Sequence, residues 1–366
     1  MQVSQSLIPA KARIEWVDFA KGICIILVVM MHSTLGVEKA AGQVGFLSAF
    51  IEWARPFRMP DFFLISGLFL ARRIDDSWKD YADKKVVHFA YFYVLWMTLQ
   101  LLTKSYGLIS AGGPLNLMGE YALGFIEPFG TLWFIYILAL FFIVTKLTRK
   151  LPPVLIFAAA AALEIAHIHT GWLVIDEFAA RFVYFFAGYW LAPKIFAATD
   201  ILWTRHIAAL LAMLYIWAVG HTLMVGTGLS HAPVISLMLG FSGACAVITL
   251  AIVLARSGKA AWLGYCGANS IVIYLGFFLP MGVVRTLGLK LLPGINTDVL
   301  SATTTLSAII GSLVMFWLLR NTRASFLFKR PAWASLHAPW LLKIVERRGL
   351  GWHSADHVKQ QHTKAR

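Results

Sequence analysis

An all-helical, polytopic membrane fold of about ten transmembrane helices, with both termini cytoplasmic, is what this sequence predicts, and three observations carry the prediction. First, of 366 residues 59% are hydrophobic and only 14% charged, against roughly 25% charged in an ordinary soluble domain. Second, apolar runs of bilayer length recur along the chain, about 20 residues being what a helix needs to cross. Third, the basic residues crowd into every second interval between those runs, the asymmetry that orients membrane helices.

Taken in order, the apolar runs bounded by charge, Pro or Gly fall at 16–35, 57–73, 86–104, 130–146, 153–169, 178–195, 206–225, 233–255, 266–287 and 300–319. Segment 43–54 reads as a short outer helix leading into the second span. Pro56 and Pro60 are expected to break any helix arriving from it. Segment 114–127 reads as a re-entrant or interfacial piece. The inner intervals hold Lys21 and its neighbours Lys11 and Arg13, then Arg72, Arg73, Lys79, Lys84 and Lys85, then Lys146, Arg149 and Lys150, and so on to the basic C-terminus. Only Lys39, Arg55, Arg58, Lys104, Arg181, Arg285 and Lys290 fall on the other side. The organisation expected is a membrane domain over 14–320 and a basic cytoplasmic tail over 321–366, in which WASLHAPWLLKIVERR has the pattern of an amphipathic surface helix.

The net charge of +14 is spread over loops rather than gathered on a polar domain, which argues against a nucleic-acid partner. Three cysteines in or near apolar runs, Cys24, Cys245 and Cys266, argue against a disulfide framework, a metal site or a cysteine nucleophile. The first span is longer than a signal-peptide core and carries His32 near its far end, so it reads as uncleaved. No internal repeat is visible.

The candidate chemistry starts in WVDFAKGICIILVVMMHS. From Lys21 to His32 is eleven residues, about three helical turns, which puts a cation and an imidazole on one face some 16 Å apart. A charge inside a membrane costs about 2.5–3.5 kcal/mol on insertion scales, so it is seldom kept without a use. The competing reading is that Lys21 snorkels to the surface and His32 sits at an interface. The second span repeats the spacing: Asp61 to Arg72 is again eleven residues, and an antiparallel pairing of the two spans brings Asp61 level with His32 and Arg72 with Lys21. Ser66 and Gly67 are small enough for the two helices to approach closely, and Arg58 and Asp61 are spaced to pair, or merely to neutralise each other. Glu164 is the costliest of the remaining buried candidates, on the same face as His167; Arg181 lies near a helix start with Asp176 and Glu177; Trp133 and Tyr136 read as belt aromatics or as tunnel lining; and Asn269 and Tyr274 read first as interhelical hydrogen-bonding groups.

With these residues in hand the chain resembles the acyltransferase-3 family of membrane-embedded acyltransferases. A basic residue, ten residues and a His stand at Lys21 to His32; Phe62, Phe63, Ser66 and Gly67 give Phe-Phe-x-x-Ser-Gly; Leu132, Trp133 and Phe134 follow; Ser270, Tyr274 and Leu275 give the late Ser-x-x-x-Tyr-Leu. Two departures stand out: Lys21 occupies a position usually held by Arg, which removes a bidentate phosphate fork, and Gly276, Phe277 and Phe278 stand where many members have a His. The chain has no appended extracytoplasmic domain, so a stand-alone core is expected.

The resemblance implies an acyl-CoA-dependent O-acyltransferase of a bacterial cytoplasmic membrane, with acetyl-CoA or succinyl-CoA as donor substrate, no resident cofactor and an extracytoplasmic glycan or lipid-linked acceptor. On that reading Lys21, Arg72 and Arg73 hold the nucleotide phosphates, and Trp133 and Tyr136 line the donor tunnel. His32 serves as general base, with Asp61 orienting it and Arg58 or Ser66 supporting the oxyanion. Glu164, Arg181 and Tyr274 face the acceptor. An acyl-His intermediate is the alternative path. A proton-coupled transporter or glycan exporter uses similar intramembrane groups, and a structural subunit of a glycan-assembly complex is a third reading; oligomeric state is open.

Overall fold

Thirty residues without a proline make the first helix, α1 (Ala12–Ala41), and Gly42 ends it at φ +67°. The computed structural model describes residues 12–338, and side chains from residue 15. After a short turn the chain reverses into α2 (Leu47–Leu68). Two acids build that reversal. Glu38 accepts from Gly45 N (2.8 Å) and Ser48 Oγ (2.9 Å), and Asp298 accepts from Phe46 N (3.0 Å) and Leu47 N (2.8 Å). The second acid caps the open donors at the start of α2.

The helix break expected at Pro56 and Pro60 does not occur: α2 runs through both. Each proline removes a donor from the ladder, and the helix is sustained by burial on several sides and by Arg58, whose guanidinium donates back to Ile51 O at 3.4 Å. Residues 47–54 are therefore the first turns of α2 rather than a separate outer helix.

The remaining helices are α3 (Trp78–Ala82), a π-turn at Asp83–Val87, α4 (His88–Leu123), α5 (Trp133–Thr148), α6 (Pro153–Ile165), α7 (Leu173–Trp190), α8 (Ala192–Thr204), α9 (Ile207–Gly226), α10 (Ile235–Ser257), α11 (Ala261–Ala268), α12 (Ser270–Gly276), α13 (Phe278–Leu291) and α14 (Thr297–Leu319). No strand occurs among the described residues. The piece read as re-entrant is the second arm of α4, bent where Gly112 and Gly113 leave helical geometry just before Pro114.

Among the described residues six helices are long and apolar enough to cross a membrane, and α12 with α13, bent by 50°, makes a seventh if taken as one span. The protein is thus a multi-pass helical membrane protein. Four of the ten expected spans are not among those six helices. α2 and α7 pack inside the bundle but carry too many charges (Glu52, Arg55, Arg58 and Asp61; Asp176, Glu177 and Arg181), and α6 is only 13 residues long.

α1 and α2 form the middle of the bundle. α1 packs against α2, α10, α11 and α14, and α2 against α7 and α10. The expectation that Ser66 and Gly67 admit α1 is corrected here. A Cβ on Gly67 would lie 2.2 Å from Phe185 O, and one on Gly188 would lie 2.0 Å from Leu64 O, so this glycine pair brings α2 against α7.

Residues 323–337 are laced to the body rather than hanging from it. Arg330 pairs with Asp83 at 2.6 Å, Ser335 Oγ and Leu336 N donate to the same carboxylate, and Tyr91 and Trp96 of α4 donate to Phe326 O and Leu327 O. Lys11 and residues 339–348 of the expected amphipathic helix lie outside the described residues.

Candidate active site

At the Lys21 end, Lys21 Nζ lies 5.8 Å and Arg72 Cζ 6.0 Å from the centre of the Phe69 ring. The antiparallel pairing of α1 and α2 therefore does bring these two cations to one place. Lys85, which the spacing argument did not single out, lies within electrostatic range of Lys21 and Arg73. Both arginines are exposed, and Arg73 is paired with Asp76 at 3.3 Å. The connection carrying both arginines is pinned from α5. The buried Lys146 ammonium donates to Ile74 O and to Asp76 O (2.7 Å), Arg149 donates to Ile74 O (3.0 Å), and Lys146 sits 4.9 Å from the Tyr81 ring centre. These donors satisfy carbonyls of a non-helical stretch and fix the connection that carries Arg72 and Arg73 near Lys21.

At the His32 end a cavity of about 260 Å³ opens beside α1 and α2. His32, Arg58, Phe62, Trp133, Phe134 and Tyr274 line it, with Arg55, Thr131, Glu177 and Arg181 at its polar side. The apolar wall explains why the aromatic motifs stand where they do: Phe62 stacks on Phe134 (4.6 Å between centroids, 14° between planes), Phe63 meets the same ring at 4.7 Å, and Tyr274 meets it edge-on at 5.6 Å. Tyr274 also donates to Thr131 O at 2.6 Å, which locks α12 to the turn before α5. His32 is half-buried against Phe277 (5.4 Å between ring centres), and among the described residues neither of its ring nitrogens makes a hydrogen bond. Arg58 is 7% exposed, and its only hydrogen bond among the described residues is the one to Ile51 O. A guanidinium and an imidazole, neither of them committed to a carboxylate, thus share one cavity.

Three expected assignments are corrected. Asp61 neither pairs with Arg58 nor meets His32. It is 1% exposed, both carboxylate oxygens lack a partner, and its electrostatic neighbours are Cys24, Cys245 and Tyr184. The register of α2 against α1 sets Arg58, not Asp61, level with His32, and leaves Asp61 deeper among α1, α7 and α10. Ser66 does not reach the cavity, because its hydroxyl donates back to Phe62 O at 2.7 Å. Tyr136 is directed to Phe125 O (3.0 Å) and packs on Tyr93, so of the two aromatics Trp133 alone lines the cavity.

Glu164 and Arg181 come together in a second cavity of about 720 Å³, formed by the ends of α6, α7, α9 and α10. Arg55, Leu173, Glu177 and Arg181 line both cavities, so the two share a wall. Tyr274 belongs to the smaller one. Arg55 stands one turn before Arg58 and was legible as its same-face neighbour; Thr131, Ser236 and Tyr184 become site residues only through packing between distant segments. Among the described residues no group of three or more His, Cys, Asp or Glu is placed to hold a metal ion.

A family model described as an acyltransferase domain matches residues 14–320. Among curated proteins, the inner membrane protein YcfT of Escherichia coli (strain K12) is 25% identical over 231 residues, which cover 56% of this chain and 64% of the relative. The match therefore spans slightly under two thirds of that relative's own length. No solved structure matches the chain.

Proposed function

We propose a reaction for this chain, which belongs to the acyltransferase-domain family: transfer of an acyl group from cytoplasmic acyl-CoA to a hydroxyl of an acceptor, most naturally a carbohydrate, on the other side of a bacterial inner membrane. The observation that supports the reading is the distribution of charge along the α1–α2 pair, with Lys21, Arg72 and Lys85 near one end and His32 sharing a cavity with Arg58 at the other. Eleven residues of helix separate the ends by about 16 Å, a length suited to a slim pantetheine arm. In this reading both termini face the cytoplasm, the basic mouth grips the nucleotide phosphates, and α2, α6, α7 and the bent α12–α13 pair complete about ten crossings.

The reaction balances without a cofactor. The His32 imidazole takes the proton of the acceptor hydroxyl, whose oxygen attacks the thioester carbonyl. Arg58 supports the negative charge that develops on the carbonyl oxygen. As the new C–O bond forms the C–S bond breaks, and the departing thiolate takes up the proton from His32. Trp133, Phe134 and Phe62 supply an apolar wall that limits water around the thioester.

The rival reading, a proton-coupled transporter, is favoured by one observation: Asp61 is a buried acid without a partner, as intramembrane proton carriers are. Purified protein in proteoliposomes separates the two. Thiol release from acetyl-CoA, dependent on His32 and on an added polyol or saccharide, supports acyl transfer. Sugar-driven proton flux without thiol release replaces it.

A further inference from the structure

The larger cavity contains a linked polar group that the reaction above does not use. Ser236 Oγ, at the start of α10, donates to Glu164 Oε1 at 2.9 Å and lies 3.1 Å from His167 Nε2; Tyr184 donates to the same Oε1 at 3.4 Å. With the Ser236 proton committed to Glu164, His167 Nε2 is the donor to Ser236. Glu164 is 6% exposed, and its second oxygen, Oε2, has no partner. A buried acceptor left without a donor is costly and calls for an explanation. The other acids lining this cavity are engaged: Glu52 with Arg55 (3.2 Å), Glu177 with Arg181 (3.1 Å), and Asp176 with Thr170 and Gly171.

The backbone singles out the same place. His167 (φ 45°) and Val234 (φ 66°) are the non-glycine residues with positive φ among those described, and they lie on either side of the His167–Ser236 contact. That conformation is costly for side-chain-bearing residues, most of all for β-branched valine, and is retained where surrounding structure insists on it. Here it holds the end of α6 and the start of α10 so that Ser236 and His167 fix the rotamer of the Glu164 carboxylate.

We propose that Glu164 Oε2 takes a hydrogen bond from a second O–H or N–H of the acceptor, one that is not itself acylated, making this cavity the subsite that selects the acceptor. Ser236 and His167 act as positioning residues for that carboxylate. The inference rests on the acyl-transfer reading, since the shared wall at Arg55, Leu173, Glu177 and Arg181 lets one molecule reach from this subsite to His32.

The test is made on full-length His32→Ala protein in nanodiscs, so that binding is read without turnover. Methyl glucoside, methyl galactoside and glucosamine are the probes, followed by saturation-transfer NMR. At least one is expected to bind, and adding Glu164→Gln is expected to weaken it roughly 10–100-fold, the worth of a hydrogen bond to a charged group. In the His32-intact enzyme the same change falls on the acceptor KM and not on the KM for acyl-CoA. Ser236→Ala, which keeps the carboxylate but frees its rotamer, is expected to weaken binding by about 3–10-fold and carries the test if Glu164→Gln does not fold. Failure of every probe to bind, or binding unchanged by either substitution, overturns the proposal. Binding that behaves as expected in a protein that releases no thiol from acetyl-CoA overturns the acyl-transfer reading instead.

Discussion

His32 on α1 and Arg58 on α2 line one cavity of about 260 Å³, while Asp61, a single turn further along α2, is buried elsewhere with both oxygens unpartnered. On the proposed acyl-transfer reading, that relationship pairs the base with a cation rather than with an acid.

Replacing His32 by Ala is expected to leave the protein folded in the membrane, because the half-buried side chain makes no hydrogen bond to the described residues, and to lower transfer by about 10²–10⁴-fold, the usual contribution of a positioned base. Thiol release measured against the amount of membrane-extracted protein checks this. Retention of full activity removes His32 from the mechanism.

Arg58→Ala is expected to reduce kcat by roughly 10²–10³-fold, as the loss of one oxyanion donor does. Arg58→Lys should recover little, because a point charge on a flexible stem does not reproduce the fork. Steady-state kinetics of both variants at saturating acyl-CoA decide the matter.

Lys21→Ala and Arg72→Ala, whose cations converge on Phe69, are each expected to raise the KM for acyl-CoA by about tenfold while changing kcat little, the pattern of lost ground-state binding. The wild-type KM should rise with ionic strength, since exposed charges are screened within about 10 Å at 0.1 M salt. A kcat effect larger than the KM effect contradicts the phosphate-gripping role.

Asp61→Asn is expected to change kcat by less than about threefold, because no polar contact joins Asp61 to His32; an orienting acid removed from a triad costs on the order of 10⁴-fold. The same measurement weighs the transporter reading, in which Asp61→Asn abolishes proton flux.

Gly188→Val places a side chain where even a Cβ would stand 2.0 Å from Leu64 O. Overpacking of this kind costs about 1–3 kcal/mol or more. A lower thermal midpoint in detergent, or loss of monodisperse protein on size exclusion, is the expected readout; an unchanged midpoint places the α2–α7 contact elsewhere.

How much of this was legible beforehand differs from residue to residue. The Lys21–His32 stripe was readable because two positions eleven apart share a helix face whatever else the chain does. The convergence of Lys21 with Arg72 followed from pairing adjacent helices. The partner of His32 was not readable, since matching eleven-residue spacings leave the sliding register of two helices free by a turn, and one turn exchanges Asp61 for Arg58. Gly67 was recognised as a site of close approach, but nothing local says which helix approaches.

By itself the sequence determined the helical class, the positions of most apolar segments and the residues able to carry charge inside them, because these follow from hydropathy and a 3.6-residue period that each segment expresses alone. Only the tertiary structure decided that α2 survives its two prolines, that α7 rather than α1 fills the Gly67 groove, and that Ser236 meets Glu164 and His167, 72 and 69 residues away in the chain. Those outcomes depend on which faces of distant helices bury one another, and packing between segments leaves no periodic mark within either of them.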